Sequence, residues 1–289
     1  MEHLLVTDSP ALPIPTLDHV VVNVRDRLPE AAGVWRRLGF TLTPMGRHTL
    51  GSINHLAMFG TDYLELVGVP PEGAPETDVM EWPEGLNGLV FGTDASNILY
   101  NTLKAAGAPV LPPLAFSRPV TLPDGSQQDA SFRTVRVERD AFPAGRLYFC
   151  HHLTRHLVWR DTWRRHANGV LGIAAVIMDS NAPQRTATVF EALFGGHALR
   201  HLPDGVRLNM ALTRLDVLIP PAATRRFAAA APLADGRAER MTGLVFRVGD
   251  IAQTIAALKD GGVKYMSGAG WAGVAASEAN GVALKFAEG

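Results

Sequence analysis

The stretch DYLELVGV, residues 62–69, places a carboxylate in a predicted strand at a position where an apolar residue would normally pack. Its alternation puts Leu64 and Leu66 on one face and Glu65 on the other. A buried carboxylate without a partner costs several kcal/mol. We therefore expect Glu65 to face water, a cation or a metal.

A second predicted strand, DHVVVNV at residues 18–24, has one face made only of valine, which suits packing against a helix. His19 and Asn23 lie on its opposite face. Two polar side chains of this strand are therefore predicted on the pocket side.

Further polar side chains are candidates for substrate contacts. In INHLAMF the alternation separates Asn54 from His55, and the pattern alone does not say which of them faces the pocket. Arg118 in SRPV, and Arg133 or Arg136 in FRTVRV, could grip an anionic substrate, because a guanidinium group binds a carboxylate at two points. The alternative for each arginine is an ordinary surface charge.

The elements that must position these residues repeat four times along the chain. In each repeat a β-type run ends at an Asp, a helical segment follows and a Gly closes it, which are the start and stop residues of a short helix. The aspartates are Asp26, Asp94, Asp179 and Asp250, and the glycines are Gly39, Gly107, Gly195 and Gly261. Two or three extended runs follow each helix, the first being TLTPM in the first unit. The predicted units are β-α-β-β-β at 17–69, 86–154, 170–219 and 241–288.

These units predict an α+β protein with two domains, each built from two modules. A parallel α/β sheet would need a helix after nearly every strand, and here strands outnumber helices. The predicted organisation comprises an N-terminal arm (1–16), an N-terminal domain (17–154), a connector (155–169) and a C-terminal domain (170–289).

Composition excludes several classes of protein. The 289 residues are 47% apolar and 19% charged, with a net charge of −1 and no basic stripe, so we expect neither nucleic acid nor membrane as a partner. The N-terminus does not resemble a signal peptide, and the single cysteine, Cys150, cannot form an internal disulfide. A cytoplasmic location and a small-molecule substrate are the expectations.

Tandem β-α-β-β-β units with a His in the first strand and a Glu in the last resemble the vicinal-oxygen-chelate superfamily, which includes glyoxalase I, extradiol dioxygenases and bleomycin-resistance proteins. The runs GSINHLAMFGTDYLEL, FSRPV with DASFRTVRV, and LYFCHHLTRHLVWRDTWRRHANG are similar to the glyoxalase-like domain family. The resemblance implies that two units pair into a half-open barrel with a metal or ligand on its concave side.

In that superfamily the metal ligands come from the first and last strands of paired units. The resemblance assigns these positions to His19 and Glu65 in the first unit, and to Gly88 and Cys150 in the second, with His152 two residues further on the same face. It therefore implies a divalent metal, which could be Zn, Fe, Mn, Ni or Co, held by His19, Glu65 and His152. Asn54 is preferred over His55 because N-x-L recurs in the similar family.

The C-terminal pair departs from this pattern. Gly172 and Gly243 are aligned with the first-strand histidine, and Asp216 and Lys285 with the last-strand glutamate. The resemblance thus implies a degenerate second site, whose alternative role is packing or homodimer formation.

The expected function is a glyoxalase-like, metal-dependent lyase or isomerase that stabilises an enolate, with Glu65 catalytic and with Asn54, Asn23, Arg118 and Arg133 contacting substrate. Glu65 could instead be a base whose pKa a dry pocket raises. The alternative function is a metal-free protein that binds or sequesters a small ligand. Four other histidines lie in predicted turns or linkers and are expected to face solvent: His48, His166, His197 and His201.

Overall fold

The computed structural model describes residues 12–71, 77–122 and 124–289. Within these ranges the chain forms sixteen strands in two eight-stranded sheets, together with six α-helices. The predicted α+β class with four β-α-β-β-β modules is confirmed. Most of the predicted N-terminal arm lies outside the described residues.

The first sheet contains modules one and two. Its elements are β1 (Leu17–Arg25), α1 (Leu28–Arg37), β2 (Gly46–Arg47), β3 (Ile53–Met58), β4 (Tyr63–Gly68), α2 (Thr77–Glu81), β5 (Gly85–Gly92), α3 (Ser96–Ala105), β6 (Leu114–Thr121), β7 (Gln127–Arg136) and β8 (Arg146–His152). The strand order is β2-β3-β4-β1-β5-β8-β7-β6, so the first strands of the two modules pair at the centre.

The second sheet repeats this arrangement. Its elements are β9 (Val170–Ser180), α4 (Pro183–Phe194), β10 (Leu199–Leu202), β11 (Gly205–Met210), β12 (Thr213–Leu218), α5 (Pro220–Phe227), β13 (Glu239–Val248), α6 (Ile251–Asp260), β14 (Tyr265–Gly268), β15 (Trp271–Val274) and β16 (Ala283–Glu288). The order β10-β11-β12-β9-β13-β16-β15-β14 again places the two first strands side by side.

The first sheet curls until its two edges meet. Thr49, just after β2, donates its backbone N–H to the carbonyl of Ser117 in β6 at 2.9 Å, and the N–H of Ser117 donates to the Thr49 hydroxyl at 3.3 Å. The sheet is therefore nearly a closed barrel, and its concave side encloses a cavity.

The convex, helix-bearing sides of the two sheets share one apolar core. Trp35 of α1 donates its ring N–H to Asn280 at 3.2 Å, and the rings of Phe40 and Phe246 lie 5.2 Å apart. Leu64 and Leu66 point into this core. Since apolar residues alternate with cavity-facing residues along β4, packing of this face fixes which way Glu65 points.

Two local predictions are wrong. Of the four aspartates, Asp250 is an N-cap and accepts a hydrogen bond from the N–H of Ala252 at 2.8 Å, whereas α1, α3 and α4 are capped by Arg27, Ala95 and Ala182. The run TLTPM is not a strand. Proline cannot donate to a ladder, and Thr43 of this run bonds to Leu56 outside regular pairing.

No helix in the described ranges is long and apolar enough to cross a lipid bilayer.

Gly39 and Gly107 end α1 and α3 with positive φ values of 87° and 77°, but their surroundings differ. A Cβ at Gly39 would lie 2.9 Å from the Asn168 Cβ, whereas a Cβ at Gly107 would meet nothing within 4 Å. We predict that Gly39→Ala lowers the free energy of unfolding by about 2–4 kcal/mol and Gly107→Ala by about 1 kcal/mol. Urea denaturation followed by circular dichroism measures both, and equal losses would contradict the packing at Gly39.

Candidate functional site

The barrel of the first sheet encloses an N-terminal cavity of about 280 Å³, lined by side chains from the concave faces of its strands. Tyr63, Glu65 and Val67 of β4 line it, while Leu64 points to the core. This is the orientation that the alternation of β4 predicts.

Glu65 is buried but not isolated. Glu65 is 7% exposed, and its Oε1 accepts a hydrogen bond from the Asn54 amide at 2.6 Å. Its Oε2 lies 3.6 Å from Nε2 of His19, a residue that is 3% exposed. The predicted neighbours His19, Glu65 and Asn54 are thus brought together from three strands.

The amide of Asn54 also fixes a neighbouring imidazole. Its Nδ2, which can only donate, lies 3.2 Å from Nε2 of His48, so that nitrogen accepts and Nδ1 donates to the Ser52 hydroxyl at 2.8 Å. Burial lowers the pKa of His48 to about 4. His48 is therefore a neutral member of the cavity wall, and the prediction that it faces solvent is wrong. His55 points the other way and bonds to the carbonyl of Thr43.

Glu65 is ionised in this setting. Burial by itself would raise the pKa of Glu65, but His19, His48, the Asn54 hydrogen bond and Arg146 outweigh it, and the pKa lies below its usual value. The expectation of a raised pKa is wrong because three strands supply donors and positive potential to one carboxylate.

The imidazole of His19 is hydrogen-bonded to a carboxylate through the ring nitrogen that does not face the cavity. Its Nδ1 donates to Oδ1 of Asp18 at 2.6 Å, and its ring stacks on Tyr63 with centroids 4.3 Å apart. Burial would raise the pKa of Asp18, but His152 and His19 hold it well below its usual range. An ionised Asp18 fixes the tautomer of His19 so that Nε2 is presented to the cavity, where the Tyr148 hydroxyl lies 3.2 Å away.

The structure does not bring His152 to Glu65. His152 donates its Nε2–H to the same Oδ1 of Asp18 at 3.0 Å and lines a second cavity, which we call the junction cavity because residues 210–213 of the second sheet complete it. Asp18, Cys150 and His152 offer ligand atoms within 4.8 Å of one another, which is a spacing that could hold a metal. Burial raises the pKa of the Cys150 thiol well above its usual value, and the hydrogen bond within this group joins Asp18 to His152.

The strand register contradicts the assignment of Cys150 as the residue of module two that corresponds to Glu65. Glu65 pairs with Val21 in β1, and Tyr148 pairs with Val90 in β5. Val21 and Val90 each follow the first-strand position, His19 or Gly88, by two residues. The counterpart of Glu65 is therefore Tyr148 and not Cys150.

Two predicted substrate contacts lie elsewhere. Asn23 donates to the backbone carbonyls of Val79 and Trp82 at 2.8 and 3.2 Å, so its amide holds the chain that precedes β5. Arg133 lies on the face of β7 that carries the core residue Val135, opposite the cavity. Arg118 and Arg136 do line the cavity.

Sequence reasoning missed four residues of this site: Asp18, His48, Arg146 and Tyr148. Tyr148 and Arg146 share the strand parity of Cys150, so a correct register would have found them. Asp18 precedes His19 directly, but nothing local shows that its carboxylate turns back to the imidazole.

In the second barrel, the carboxylate at the position that corresponds to Glu65 is bound by an arginine. Asp216 pairs with Ile177, two residues after Ala175, so the counterpart of His19 is Ala175 and not Gly172. Asp216 is fully buried and accepts two hydrogen bonds from Arg207, at 2.5 and 2.9 Å. A carboxylate neutralised in this way has a structural role.

Comparison with known proteins agrees with this architecture. The family described as "Glyoxalase-like domain" matches residues 17–194. A hypothetical protein from Staphylococcus aureus is similar with a TM-score of 0.63 at 12% identity, covering 95% of this chain and 100% of that one. A mutant of 4-hydroxymandelate synthase from Streptomyces coelicolor has a TM-score of 0.61 at 17% identity, covering 96% and 93%.

A xylose isomerase-like TIM barrel/4-hydroxyphenylpyruvate dioxygenase fusion protein also has a TM-score of 0.61, at 14% identity over 97% of this chain and 50% of that one. At these identities the similarity shows the fold alone. A search of curated proteins found no match.

Asp62, which lines the junction cavity, should make the free energy of unfolding depend on pH. It is 2% exposed, its Oδ1 accepts from the N–H of Ile173 at 3.1 Å, and burial raises its pKa to about 6. Because the folded state then binds the proton more tightly than the unfolded state, stability should fall as pH rises from about 4 to 6, by roughly 2–3 kcal/mol. We predict that Asp62→Asn, which can still accept from Ile173, removes this component in urea denaturation between pH 4 and 7. An unchanged pH dependence in the variant would contradict it.

Proposed function

Because the chain belongs to the glyoxalase-like domain family of the vicinal-oxygen-chelate superfamily, we propose that its N-terminal cavity is the active site of an enzyme that moves a proton next to a carbonyl group of a small molecule. The reaction class is that of a lyase or isomerase passing through an enolate. The observation that carries the proposal is a buried, ionised Glu65 that faces a cavity and shares it with the Nε2 of His19.

A divalent metal fits part of this donor set. His19 and Glu65 present an imidazole nitrogen and a carboxylate oxygen to one space, and Asp18 supplies the hydrogen bond that metal-binding imidazoles normally make through their other nitrogen. His19 and Glu65 would hold the ion, with the remaining positions open to substrate. When bound there, a metal would polarise the substrate carbonyl and stabilise the negative charge that develops on its oxygen.

Glu65 and Tyr148 have different roles in the proposed proton transfer. When no ion occupies Oε2, Glu65 would receive the proton at that oxygen, because Oε1 is already occupied by the Asn54 amide. Since the pKa of Glu65 lies below its usual value, the carboxylate is a weak base, and the developing oxyanion must be stabilised for the transfer to be fast. Tyr148, whose pKa burial raises well above its usual value, remains a hydrogen-bond donor at the same cavity.

A metal-free binding protein is the second candidate, and one observation favours it. Within the described part of the chain, Glu65 belongs to no set of three His, Cys, Asp or Glu side chains whose ligand atoms lie within 4.8 Å of one another, and module two contributes Gly88 and Tyr148 at the corresponding positions. In that case Glu65 would anchor a cationic or hydrogen-bonding ligand.

We predict that Glu65→Gln and His19→Gln each abolish stoichiometric binding of added Mn²⁺, Co²⁺ or Zn²⁺ and lower proton exchange by about a hundredfold or more. The exchange measurement follows incorporation of deuterium from D₂O into phenylpyruvate by NMR, with the uncatalysed rate subtracted. The matched control is His151→Gln, because His151 lies on the opposite face of β8 and its ring contacts Ser96.

The two candidate functions give different results in this experiment. Metal binding and exchange that depend on Glu65 and His19, and not on His151, support the enzyme. No metal binding and no exchange in any form of the protein would contradict the enzyme and leave the binding function.

Asp18 offers a second test, since it acts only through His19. We predict that Asp18→Asn weakens metal binding by about 10- to 100-fold while leaving the fold intact, because an amide holds the imidazole less firmly and does not polarise it. Metal titration by calorimetry measures this effect, and circular dichroism checks the fold. Unchanged metal affinity would show that the contact between Asp18 and His19 does not tune the site.

A further inference from the structure

Arg118 is a buried positive charge without a partner. Its residue is 5% exposed, its Nε has no hydrogen bond, and its guanidinium makes no ion pair with any described residue. A native structure rarely buries an arginine in this way, because the lost hydration must be offset by a carboxylate or by hydrogen bonds. Arg118 lines the N-terminal cavity, so a bound anion is the partner that its position allows.

Arg146 repeats this situation on the neighbouring strand. It is half-buried, lines the same cavity, has an unpartnered Nε and makes no ion pair with a described residue. Burial is the main cause of the low pKa of His48, and the positive charges of Arg118 and Arg146 both add to it. The two guanidinium groups therefore act on the same end of the cavity.

The cavity does not neutralise these charges itself. Among its described lining residues the only carboxylate is Glu65, which lies beyond 4 Å from both guanidinium groups and is hydrogen-bonded to Asn54. Arg139, which also lines the cavity, is paired with Glu81 at 2.6 Å. Two unpaired positive charges facing one carboxylate leave this end of the cavity cationic.

The wall beside the arginines is apolar and aromatic. Phe116 precedes Arg118 by two residues on the same face of β6, and its ring stacks on Phe132 with centroids 5.2 Å apart. His48 meets the edge of Phe116 at 5.4 Å, which places the ring pair next to the polar groups around Glu65. A ligand in this space would therefore contact a flat hydrocarbon surface and positive charge at once.

We propose that Arg118 and Arg146 form an oxyanion subsite, and that the ligand of the N-terminal cavity is a small acid that also carries an aryl or branched alkyl group. The acid group binds the two guanidinium groups, the apolar group lies on the Phe116 and Phe132 rings, and the carbon between them is directed to Glu65. The last assignment rests on the proposed function, whereas the subsite itself does not.

The test compares three ligands of similar size by titration calorimetry with the full chain: phenylacetate, phenyl phosphate and the neutral phenylethanol. We expect at least one anion to bind about 10-fold or more tightly than phenylethanol, because hydrogen bonds to a charged partner are stronger than those to a neutral one. Preference for phenylacetate or for phenyl phosphate identifies the carboxylate or the phosphate as the oxyanion. Equal affinity for all three, or no binding, overturns the subsite.

Variants separate a ligand-binding role from a structural one. Arg118→Met should remove the preference for the anion and raise the melting temperature of the free protein by about 2–4 °C or more, because it removes a buried charge without a partner. Arg118→Lys should keep part of the preference. Arg133→Met is the matched control, since Arg133 lies on the other face of β7, and it should leave the preference unchanged.

A lower melting temperature for Arg118→Met would show that the guanidinium supports the fold, and an anion preference that survives both Arg118→Met and Arg146→Met would place the anion elsewhere. Either result overturns the proposal. Anion binding that depends on Arg118 without proton exchange at Glu65 would support the subsite and count against the proposed enzyme.

Discussion

A carboxylate stays ionised inside a barrel only if its surroundings offset the loss of hydration, and this condition at Glu65 organises the N-terminal half of the protein. Asn54 donates to one oxygen, His19 lies near the other, and Arg146 contributes positive potential. The apolar face of β4 supplies the other part of the constraint, because packing of Leu64 and Leu66 into the core leaves Glu65 no orientation except toward the cavity.

The two barrels stabilise a buried carboxylate at the same position in different ways. Asp216 stands at the position of Glu65 in the second barrel and is closed off by Arg207 at hydrogen-bonding distance, with Arg214 and Arg226 within 4 Å. Glu65 has no arginine within that distance among the described residues and keeps one oxygen toward open space. The same scaffold therefore holds a structural ion pair in one half and a candidate reactive group in the other.

Packing also explains why the two modules of the first barrel are unequal. A Cβ at Gly88, the counterpart of His19, would lie 2.5 Å from the Cβ of Val21, so β1 and β5 approach too closely for any side chain there. The second module can therefore contribute through its last strand, and it does so with Tyr148 and Arg146. The result is a cavity whose carboxylate and imidazole groups come from module one and whose unpaired guanidinium groups, those of Arg118 and Arg146, come from module two.

The sequence by itself determined the four modules and the strand faces that carry Glu65 and His19, because alternation and turn residues are local properties. The choice of Asn54 over His55 came from the family resemblance and not from the alternation. It also indicated that the second pair lacks the superfamily's histidines. Tertiary structure alone decided the rest: strand register placed Tyr148 opposite Glu65, Asp18 joined His19 to His152, and barrel closure brought Arg118 to the cavity without a partner. Register and closure depend on bulges and on contacts between distant strands, and no short stretch of sequence specifies these.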